Sequence, residues 1–382
     1  MKGAAIGIDL GTHSARAAFA PPGGTAKLIP NRWGKTAVPS AAGWRDSGKH
    51  ALQELLVPVI LTLREDAEVH LNDFVSSCVM AIPEGLSGEQ KEGMVKAANA
   101  AGIAEVGFIS EPCAAALALS CNGRSLVLDF GAKTTLSVVD SKNGEGHVLE
   151  RVEAGLPGGR DYDEALAAWL RARLRLSLKE GDPRQSVLLH EAEQIKIALS
   201  DAKSIRWTPP VLEDGSPLSP ADWPSPTLTV YREDLECLIR FSLRRIIHTV
   251  CRLWTQYAPT HLIPTGGSNA VPLLRDILQR EGPKPKHLIH GTEDAIVRGA
   301  AVWASRGAPL REGQEPLPDA ARDWAQQFHG LKLSLLEIET LLTHSQQDQL
   351  HLLFQQAESA PPDPELLRLM KGLVHDLQQA VE

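Results

Sequence analysis

One pattern that occurs twice in this chain constrains its fold more than any other feature. GAAIGIDLGTHSARAAFA, which starts at Gly3, and SLVLDFGAKTTLSVVD, which starts at Ser125, both contain an apolar run, an Asp, an apolar residue, a Gly and then β-forming residues. Each copy predicts two strands joined by a tight turn, over residues 3–8 and 15–20 and over residues 124–140. One copy alone is compatible with a plain structural hairpin, whereas two copies favour a duplicated fold with a site between its halves.

The segments after the first copy alternate between strand and helix patterns. The run at 75–83 predicts a strand, Ser87 with Gln90 predicts a capping box at the start of the next helix, and Gly102 ends that helix. VGFIS then predicts a strand, and EPCAAALALS predicts a helix with Pro in its first turn. This order indicates an α/β architecture, in which helices cover a sheet.

The second half of the chain repeats this alternation. Residues 145–163 predict a further strand–turn–strand unit, and residues 164–200 predict helices. THLIPTGGSNAVPLLRDIL (260–278) predicts a strand, a Gly-Gly-Ser turn and a helix, and residues 291–305 predict a capped helix of small residues. The Pro-rich segment 207–227 has the composition of an exposed loop.

Composition and charge exclude several classes of protein. The net charge of −8 argues against a nucleic acid or an anionic membrane as partner. No apolar run approaches the roughly 20 residues of a membrane-spanning helix, and Asp9 interrupts the apolar start, which argues against a secretion signal. The cysteines form no C-x-x-C pair and show no zinc-like spacing, which favours reduced thiols in a cytoplasmic protein. They are Cys78, Cys113, Cys121, Cys237 and Cys251.

The two turns carry the groups that a phosphate site needs. Glycine allows backbone N–H groups to approach phosphate oxygens closely, and Thr12 and Thr134 add hydroxyl donors. Asp9 and Asp129 place carboxylates beside the turns, where they would hold a hydrated Mg²⁺ and orient water. The Gly-Gly-Ser turn at 266–268 precedes a helix and suits the α-phosphate and ribose of a nucleotide. The motifs G-x-x-x-x-G-K-[ST] and G-x-G-x-x-G are absent from the sequence, so the common alternative phosphate sites are not indicated.

A series of segments, in order, resembles the nucleotide-binding domain of the Hsp70 family, within the superfamily of actin, Hsp70 and sugar kinases. The resemblance covers residues 1–305 with one large gap. The segments are IGIDLGTHSARAAF, IPNRWGKTAVPS, AIPEGLSGEQKEGMVKAANAAGIAEVGFISEPCAAALAL, LVLDFGAKTTLSVV, GLPGGRDYDEAL, EAEQIKIALS, LIPTGGSNAVPLLRDIL and EDAIVRGAAVWAS. The resemblance implies a duplicated actin-like ATPase fold, with two RNase H-like lobes around a cleft that binds ATP or ADP with Mg²⁺.

The resemblance also implies which residues would surround the metal and the phosphates. Three carboxylates would lie around the Mg²⁺ and the attacking water, and the two aspartates would hold the metal through water; the three are Asp9, Glu111 and Asp129. Residues of both turns would lie at the β- and γ-phosphates, and these are Gly11, Thr12, Gly131, Thr134 and Thr135. Pro83 would be a hinge-side proline.

Further residues would contact the adenosine half of the nucleotide. Adenine and ribose would be contacted by Glu193, Lys196 and Ser200. The α-phosphate and sugar would pass Gly266, Gly267 and Ser268, with Asp294 nearby. Two plain alternatives stay open: Glu193 and Lys196 form an ordinary exposed helix pair, and Asp294 is a helix N-terminal residue that the helix dipole favours.

Both turns depart from the family pattern. The second turn is Gly131-Ala132-Lys133-Thr134 where the family has Gly-Gly-Gly-Thr. A Cβ at Ala132 could crowd the γ-phosphate, and Lys133 either binds phosphate as a point charge or points away. His13 replaces the second Thr of the first turn and either binds phosphate or is a solvated turn residue.

A long stretch of the family pattern is missing between PSAAGW and LQELLVPVILTL. The gap removes most of the subdomain that the family calls IB. The family's catalytic lysine of this region aligns with Leu52, and Lys49 is out of register.

The end of the chain differs from the family as well. We expect lobe I at 1–120, lobe II at 121–306, a linker at 307–318 and a helical tail at 319–382, where the family has a peptide-binding β-sandwich. The tail shows helical apolar spacing, for example at Leu331, Leu335, Ile338 and Leu342, and SAPPDP interrupts it, so the tail is predicted to be a helical hairpin of two long helices. It would bind a protein partner or self-associate, and a lid on its own domain is the alternative.

These observations predict an Hsp70-like ATP-binding protein of the cytoplasm. We expect a specialised chaperone or assembly factor with slow or absent ATP hydrolysis, because the carboxylates are kept while the lysine and one glycine are not. Two alternatives are a nucleotide-binding pseudo-ATPase scaffold and an actin-like filament subunit.

Overall fold

The computed structural model describes most of the first 307 residues and parts of the C-terminal region. The described residues are 3–41, 44–153, 155–179, 181–212, 215–218, 227–285, 287–288, 294–307, 327–328, 331, 334, 354 and 364–381. The chain divides into two compact units: Met1–Ala114 with Ile296–Glu382 form the first, and Ala115–Ala295 form the second.

Strands and helices alternate along both units. The strands are β1 (Ala4–Leu10), β2 (Ser14–Phe19), β3 (Lys27–Leu28), β4 (Val38–Pro39), β5 (Val75–Ile82), β6 (Glu105–Ser110), β7 (Gly123–Phe130), β8 (Thr134–Lys142), β9 (Glu145–Val152), β10 (Ser204–Trp207), β11 (Leu228–Tyr231), β12 (His261–Thr265) and β13 (His287–Leu288). The α-helices are α1 (Lys49–Leu71), α2 (Gly88–Ala100), α3 (Glu111–Ala118), α4 (Gly159–Arg173), α5 (Arg184–Asp201), α6 (Arg232–Tyr257), α7 (Pro272–Glu281), α8 (Ala295–Ser305) and α9 (Pro364–Val381).

The first unit is built on a mixed sheet in the order β3-β2-β1-β5-β6, with β4 also paired to β2. β1 and β2 are antiparallel, as the short turn between them requires, and Asp9 lies opposite Arg16. β1, β5 and β6 are parallel, and Asp9 lies beside Ala81 of β5. Parallel neighbours need long crossovers, which α1 and α2 supply.

The second unit repeats this topology in the order β9-β8-β7-β12-β13. β7, β8 and β9 are antiparallel, whereas β12 runs parallel to β7 and to β13. Asp129 lies opposite Thr135 and beside Thr265, as Asp9 lies opposite Arg16 and beside Ala81. The predicted duplicated actin-like α/β fold is therefore confirmed.

Local sequence signals explain several element boundaries. The predicted capping box is present at α2, where the Gln90 N–H donates to Ser87 Oγ at 3.2 Å and the Ser87 N–H donates to Gln90 Oε1 at 3.1 Å. Gly102 follows this helix with φ of 84°, a conformation that glycine adopts without strain. The predicted strands at the two hairpins are confirmed by β1, β2, β7 and β8.

Two regions differ from the sequence-based expectation. Residues 145–163 contain the single strand β9 and then the start of α4, so the predicted strand–turn–strand is wrong there. The Asp161 carboxylate accepts a hydrogen bond from the Gly158 N–H at 2.7 Å, which favours a helix start at this point. The described ends of the Pro-rich segment adjoin β10 and β11, which pair with each other and were not predicted.

α8 belongs to the first unit, although the sequence placed residues up to 306 in the second lobe. Its small residues explain the difference. A Cβ on Gly7 of β1 would overlap Ala301, and a Cβ on Gly299 would overlap the Ala114 carbonyl oxygen. Backbone therefore packs directly against backbone between β1, α3 and α8.

Little of the predicted C-terminal tail lies within the described residues. α9 confirms the helix predicted near the end of the chain, and Phe328, Leu331 and Phe354 are buried with Met370 of α9. The predicted linker beyond Gly307 and the apolar positions Leu335, Ile338 and Leu342 lie outside them. In the part of the chain that the structure describes, every helix is too short or too polar to cross a bilayer.

Candidate functional site

The first turn, residues 11–14, connects β1 to β2 beyond the closing pair Leu10–Ala15. A Cβ on Gly11 would lie 2.7 Å from the Ser14 carbonyl oxygen, so the turn requires glycine at its first position. Thr12 is partly exposed and His13 is exposed. The His13 carbonyl accepts a hydrogen bond from the Ser40 N–H at 3.0 Å, which fixes the turn to the chain near β4. The turn thus presents small polar residues on a fixed backbone.

Two carboxylates lie close together beside this turn. Asp9 is in β1, and Glu111 is the first residue of α3, 8% exposed. Burial raises the pKa of Asp9 from 3.8 to about 6; the Glu111 carboxylate raises it further, while Arg45 and Arg16 oppose the shift. The N-terminus of α3 favours a negative charge at Glu111. The first unit therefore concentrates negative charge at the end of β1.

Arg45 lies among these carboxylates, and sequence reasoning missed it. Its Nη2 donates to Glu111 Oε1 at 2.6 Å. Its guanidinium carbon lies 5.2 Å from the centre of the Trp44 ring, and the Trp44 indole N–H donates to the Gly11 carbonyl at 3.4 Å. The Arg45 carbonyl accepts a hydrogen bond from Gln90 Nε2 at 3.0 Å. Trp44 and Arg45 match no motif, so nothing in the sequence marks them as residues of a site.

The second turn, residues 131–133, connects β7 to β8 beyond the closing pair Phe130–Thr134. Its carbonyls are held by the start of α4: the Gly159 N–H donates to Gly131 O at 2.9 Å, and the Arg160 N–H to Ala132 O at 3.0 Å. The buried Thr134 hydroxyl donates to the Pro157 carbonyl at 2.6 Å. Lys133 is exposed, and Ala132 and Thr135 are partly exposed. The second turn is thus tied both to the first residues of α4 and to Pro157, which precedes that helix.

The glycine turn after β12 adjoins the second turn. Gly266 has φ of 84°, and a Cβ there would lie 2.6 Å from Asp129 Oδ1, so only glycine fits. A Cβ on Gly267 would meet open space. Ser268 Oγ donates to the Gly131 carbonyl at 3.4 Å. A 3-10 turn over Gly267–Ala270 follows, and α7 begins only at Pro272. The structure therefore brings two of the predicted phosphate turns together within the second unit.

Lys196 is buried in the second unit at 8% exposure, which overturns the alternative of an exposed helix pair with Glu193. Its ammonium lies 2.7 Å from Asp163 Oδ1 and donates to the Gly159 carbonyl at 3.1 Å. Ser200, one turn along α5, donates its hydroxyl to the Lys196 carbonyl at 3.3 Å. Lys196 therefore anchors the start of α4, the segment that holds the second turn.

The other predicted positions lie within α5 or next to the end of an element. Glu193 is partly exposed on α5. Pro83 directly follows β5, and Asp294 directly precedes α8, a place that the helix dipole favours for a carboxylate.

The donor groups fit a hydrated Mg²⁺. Mg²⁺ prefers oxygen ligands and commonly keeps several waters, with one or two carboxylates and substrate phosphates completing its shell. Asp9 offers such a carboxylate in the first unit and Asp129 offers one in the second. Among the described residues no group of three or more His, Cys, Asp and Glu could hold a metal ion, so each carboxylate suits a metal that is bound mainly through water and phosphate.

A family model and several known proteins match much of this chain. The family model described as "Hsp70 protein" matches residues 47–313. The chain is 26% identical over 269 residues to the chaperone protein DnaK of Mycoplasma mobile, covering 65% of this chain and 43% of the relative. It is 29% identical over 257 residues to the chaperone protein HscA of Yersinia pseudotuberculosis, covering 64% and 38%.

A longer match is the chaperone protein DnaK of Thermotoga neapolitana, which is 24% identical over 354 residues and is covered over 59% of its length. The chain thus spans between 38% and 59% of the length of these relatives. The family match extends over more than half of the chain and includes residues of both units. The chain belongs to the Hsp70 protein family.

Proposed function

We propose that the protein binds Mg²⁺ with ATP or ADP through the two turns and the glycine turn. The observation that carries the proposal is the repeated placement of an aspartate and a glycine turn: Asp9 and Asp129 occupy equivalent positions in two sheets of equal topology. The membership of the Hsp70 family supports the same activity.

Each group in the two units has a defined task in this proposal. The N–H groups of the first and second turns bind phosphate oxygens, and the Thr12 hydroxyl donates to them. Bound Mg²⁺ would neutralise phosphate charge, and Asp9 and Asp129 would hold its waters. Glu111 would orient the attacking water. Thr135 and the exposed groups His13 and Lys133 are further phosphate ligands in the proposal.

The adenosine half would be bound by the second unit. Gly267 leaves open space beside the 3-10 turn, and Gly266 with Ser268 shapes the backbone there. Glu193 and Ser200 lie on α5 with Lys196. Because Lys196 is paired with Asp163, we infer that it positions the backbone around Gly159 and meets the nucleoside only at its edge. Asp294 completes the proposed set.

We infer slow or absent hydrolysis. Ala132 stands in the second turn where the family has glycine, so its Cβ reduces the room for the terminal phosphate. The position of the family's lysine is filled by Leu52, which is fully buried in the core of the first unit. Phosphoryl transfer depends on positioned positive charge, so its rate falls when such a charge is lost.

The cellular role we propose is that of a specialised cytoplasmic chaperone or assembly factor with a protein partner. Free cysteines, three of them buried, suit a reducing compartment. The C-terminal region, which contains α9, is the proposed partner-binding or self-association segment, because the exposed Leu369 and Leu373 lie one turn apart on that helix.

Calorimetry with Mg²⁺-ATP and Mg²⁺-ADP, paired with single-turnover hydrolysis, tests the proposal. We expect both nucleotides to bind to the wild type, and we expect Asp129→Ala to weaken binding and to remove any hydrolysis. Binding without hydrolysis would identify a nucleotide-gated scaffold, and nucleotide-dependent sedimentation would identify a filament subunit. No binding of either nucleotide to the wild type would overturn the proposal.

A further inference from the structure

Arg45 is a charged group beside the first turn to which the proposed function gives no role. It lies in a 3-10 turn over Trp44–Asp46, just before α1. Its side chain is 34% exposed, whereas the side chain of its partner Glu111 is 10% exposed. A guanidinium that is one-third exposed can be reached by a ligand while it stays paired with a buried carboxylate.

The position of Arg45 is tied to the first turn through a single aromatic ring. The guanidinium lies over the Trp44 ring at 5.2 Å, and this ring donates its N–H to the first residue of the turn, Gly11, at 3.4 Å. Trp44 is 1% exposed, so its ring is fixed by the core. The hydrogen bond from Gln90 to the Arg45 carbonyl holds the backbone on the other side. The guanidinium is thus kept next to the proposed phosphate turn.

Charge balance calls for a cation at this place. Asp9 and Glu111 are adjacent, and a nucleoside triphosphate would add further negative charge beside them. Arg45 and Arg16 are the cations that act on Asp9. Arg16 is already opposite Asp9 across the β1–β2 pair, whereas Arg45 comes from a different segment and binds Glu111. Guanidinium groups bind phosphate and carboxylate through the same paired N–H geometry, so one partner can replace the other.

We propose that Arg45 binds the terminal phosphate of a nucleoside triphosphate at the first turn, exchanging its Glu111 partner for that phosphate. This inference rests on the proposed nucleotide binding. The exchange releases Glu111, whose charge is stabilised by the α3 N-terminus, to interact with water near the phosphate. A diphosphate lacks the terminal phosphate that Arg45 binds in this proposal, so the residue would distinguish ATP from ADP.

The test is calorimetry of Mg²⁺-ATP and Mg²⁺-ADP on the wild type, Arg45→Gln, Arg45→Lys and Arg32→Gln. Arg32 is the matched control, because it also lies over a neighbouring tryptophan, Trp33, and faces the carboxylate of Asp66 at 3.7 Å. We expect Arg45→Gln to weaken the binding of ATP by about tenfold or more and the binding of ADP by less than about threefold. The ATP affinity of Arg45→Lys should lie between those of the wild type and Arg45→Gln, because lysine keeps the positive charge but lacks the paired N–H donors of a guanidinium. Arg32→Gln should change neither the ATP affinity nor the ADP affinity.

Equal weakening of ATP and ADP, or no change in either, would overturn the role of Arg45 while leaving the proposed function intact. A wild type that binds neither nucleotide would overturn both. If circular dichroism shows that Arg45→Gln is unfolded, Arg45→Lys decides: a selective loss of ATP affinity of about threefold supports the inference. An equal or absent effect of that variant would refute it.

Discussion

The first and second turns occupy the same position in two sheets of equal topology, yet different interactions hold them. The first is a four-residue loop with two nearby carboxylates and an accessible arginine, Arg45. The second is a three-residue loop whose carbonyls are fixed by the start of α4 and whose Thr134 hydroxyl is engaged by Pro157. The second turn is thus held by hydrogen bonds to α4 and to Pro157, whereas the first lies beside a cluster of charged side chains.

This difference suggests a division of tasks between the units. A turn whose backbone is fixed in advance binds phosphate with little reorganisation. A turn whose charges can change partners can respond to the number of phosphates.

The largest effect should come from breaking the ion pair that supports the second turn. Lys196→Ala leaves the Asp163 carboxylate, 3% exposed, without its ammonium, so we expect a loss of about 3–5 kcal/mol in unfolding free energy. Chemical denaturation followed by circular dichroism measures it. Lys203→Ala, at an exposed position in the same unit, should change stability by less than about 0.5 kcal/mol. Similar losses in the two variants would contradict the anchoring role of Lys196.

The glycine turn offers a second test with an adjacent control. In Gly266→Ala the Cβ lies 2.6 Å from Asp129 Oδ1 and from the Phe130 carbonyl carbon, at φ of 84°, and we expect a loss of about 2–4 kcal/mol. Nucleotide affinity should fall as well, because Asp129 is displaced. Gly267→Ala meets open space and should stay within about 1 kcal/mol of the wild type. Thermal melting of Gly266→Ala and Gly267→Ala compares the two variants. Equal melting temperatures would show that the backbone of the glycine turn can move to accommodate a Cβ at residue 266.

The stability of the protein should depend on pH through Asp9, which lies in β1 beside the first turn. The pKa of Asp9 is about 6 in the folded protein against 3.8 ordinarily, so the ionised carboxylate destabilises the fold above pH 6, and the penalty is relieved as pH falls from 6 towards 4. Asp9→Asn should therefore stabilise the protein by about 1–3 kcal/mol at pH 7.5 and by less at pH 5.

Denaturation at the two pH values checks this expectation for Asp9. Asp182 is the control with a pKa shift of the opposite sign. Hydrogen bonds from Arg184 lower the pKa of Asp182 to about 2, so the folded protein favours its ionised form. Asp182→Asn should bring no gain at either pH. A pH-independent effect of Asp9→Asn would mean that the carboxylate is not penalised by burial.

The smallest effect compares the two threonines. Thr134→Val removes the buried hydrogen bond to the Pro157 carbonyl and should cost about 1 kcal/mol. Thr12→Val, at a partly exposed position of the first turn, should leave stability unchanged while weakening nucleotide binding. Melting temperatures and calorimetry of both variants give the comparison. An equal loss of stability in both variants would contradict the conclusion that the two turns are held by different interactions.

Local signals in the sequence predicted the elements that depend on local physics. The strands around Asp9 and Asp129, the capping box at Ser87 and the glycine turn at Gly266 all follow from short-range preferences, and the structure confirms them. The repeated hairpin also predicted the duplication, because a repeated pattern folds into a repeated topology. The roles of the individual site residues stay predictions.

Features that depend on distant contacts were beyond the sequence. The pairing of Arg45 with Glu111 joins residues 66 positions apart, and that of Lys196 with Asp163 joins residues 33 apart. Neither pair has a spacing that marks it. The placement of α8 depends on the close approach of Gly7 and Ala301, which only the folded backbone reveals.

The close packing of α8 on β1 has a consequence for how the chain is made. The second unit is one continuous stretch, whereas the first is completed only by residues that follow that stretch. During synthesis the ribosome delivers β1 early and α8 only after the whole second unit, so the second unit can fold while the first still lacks this helix. Until that helix emerges, the Ala-rich face around Ala18 and Ala20 is uncovered and open to chaperones or to wrong partners. A chain that stops before residue 296 would keep that face exposed permanently.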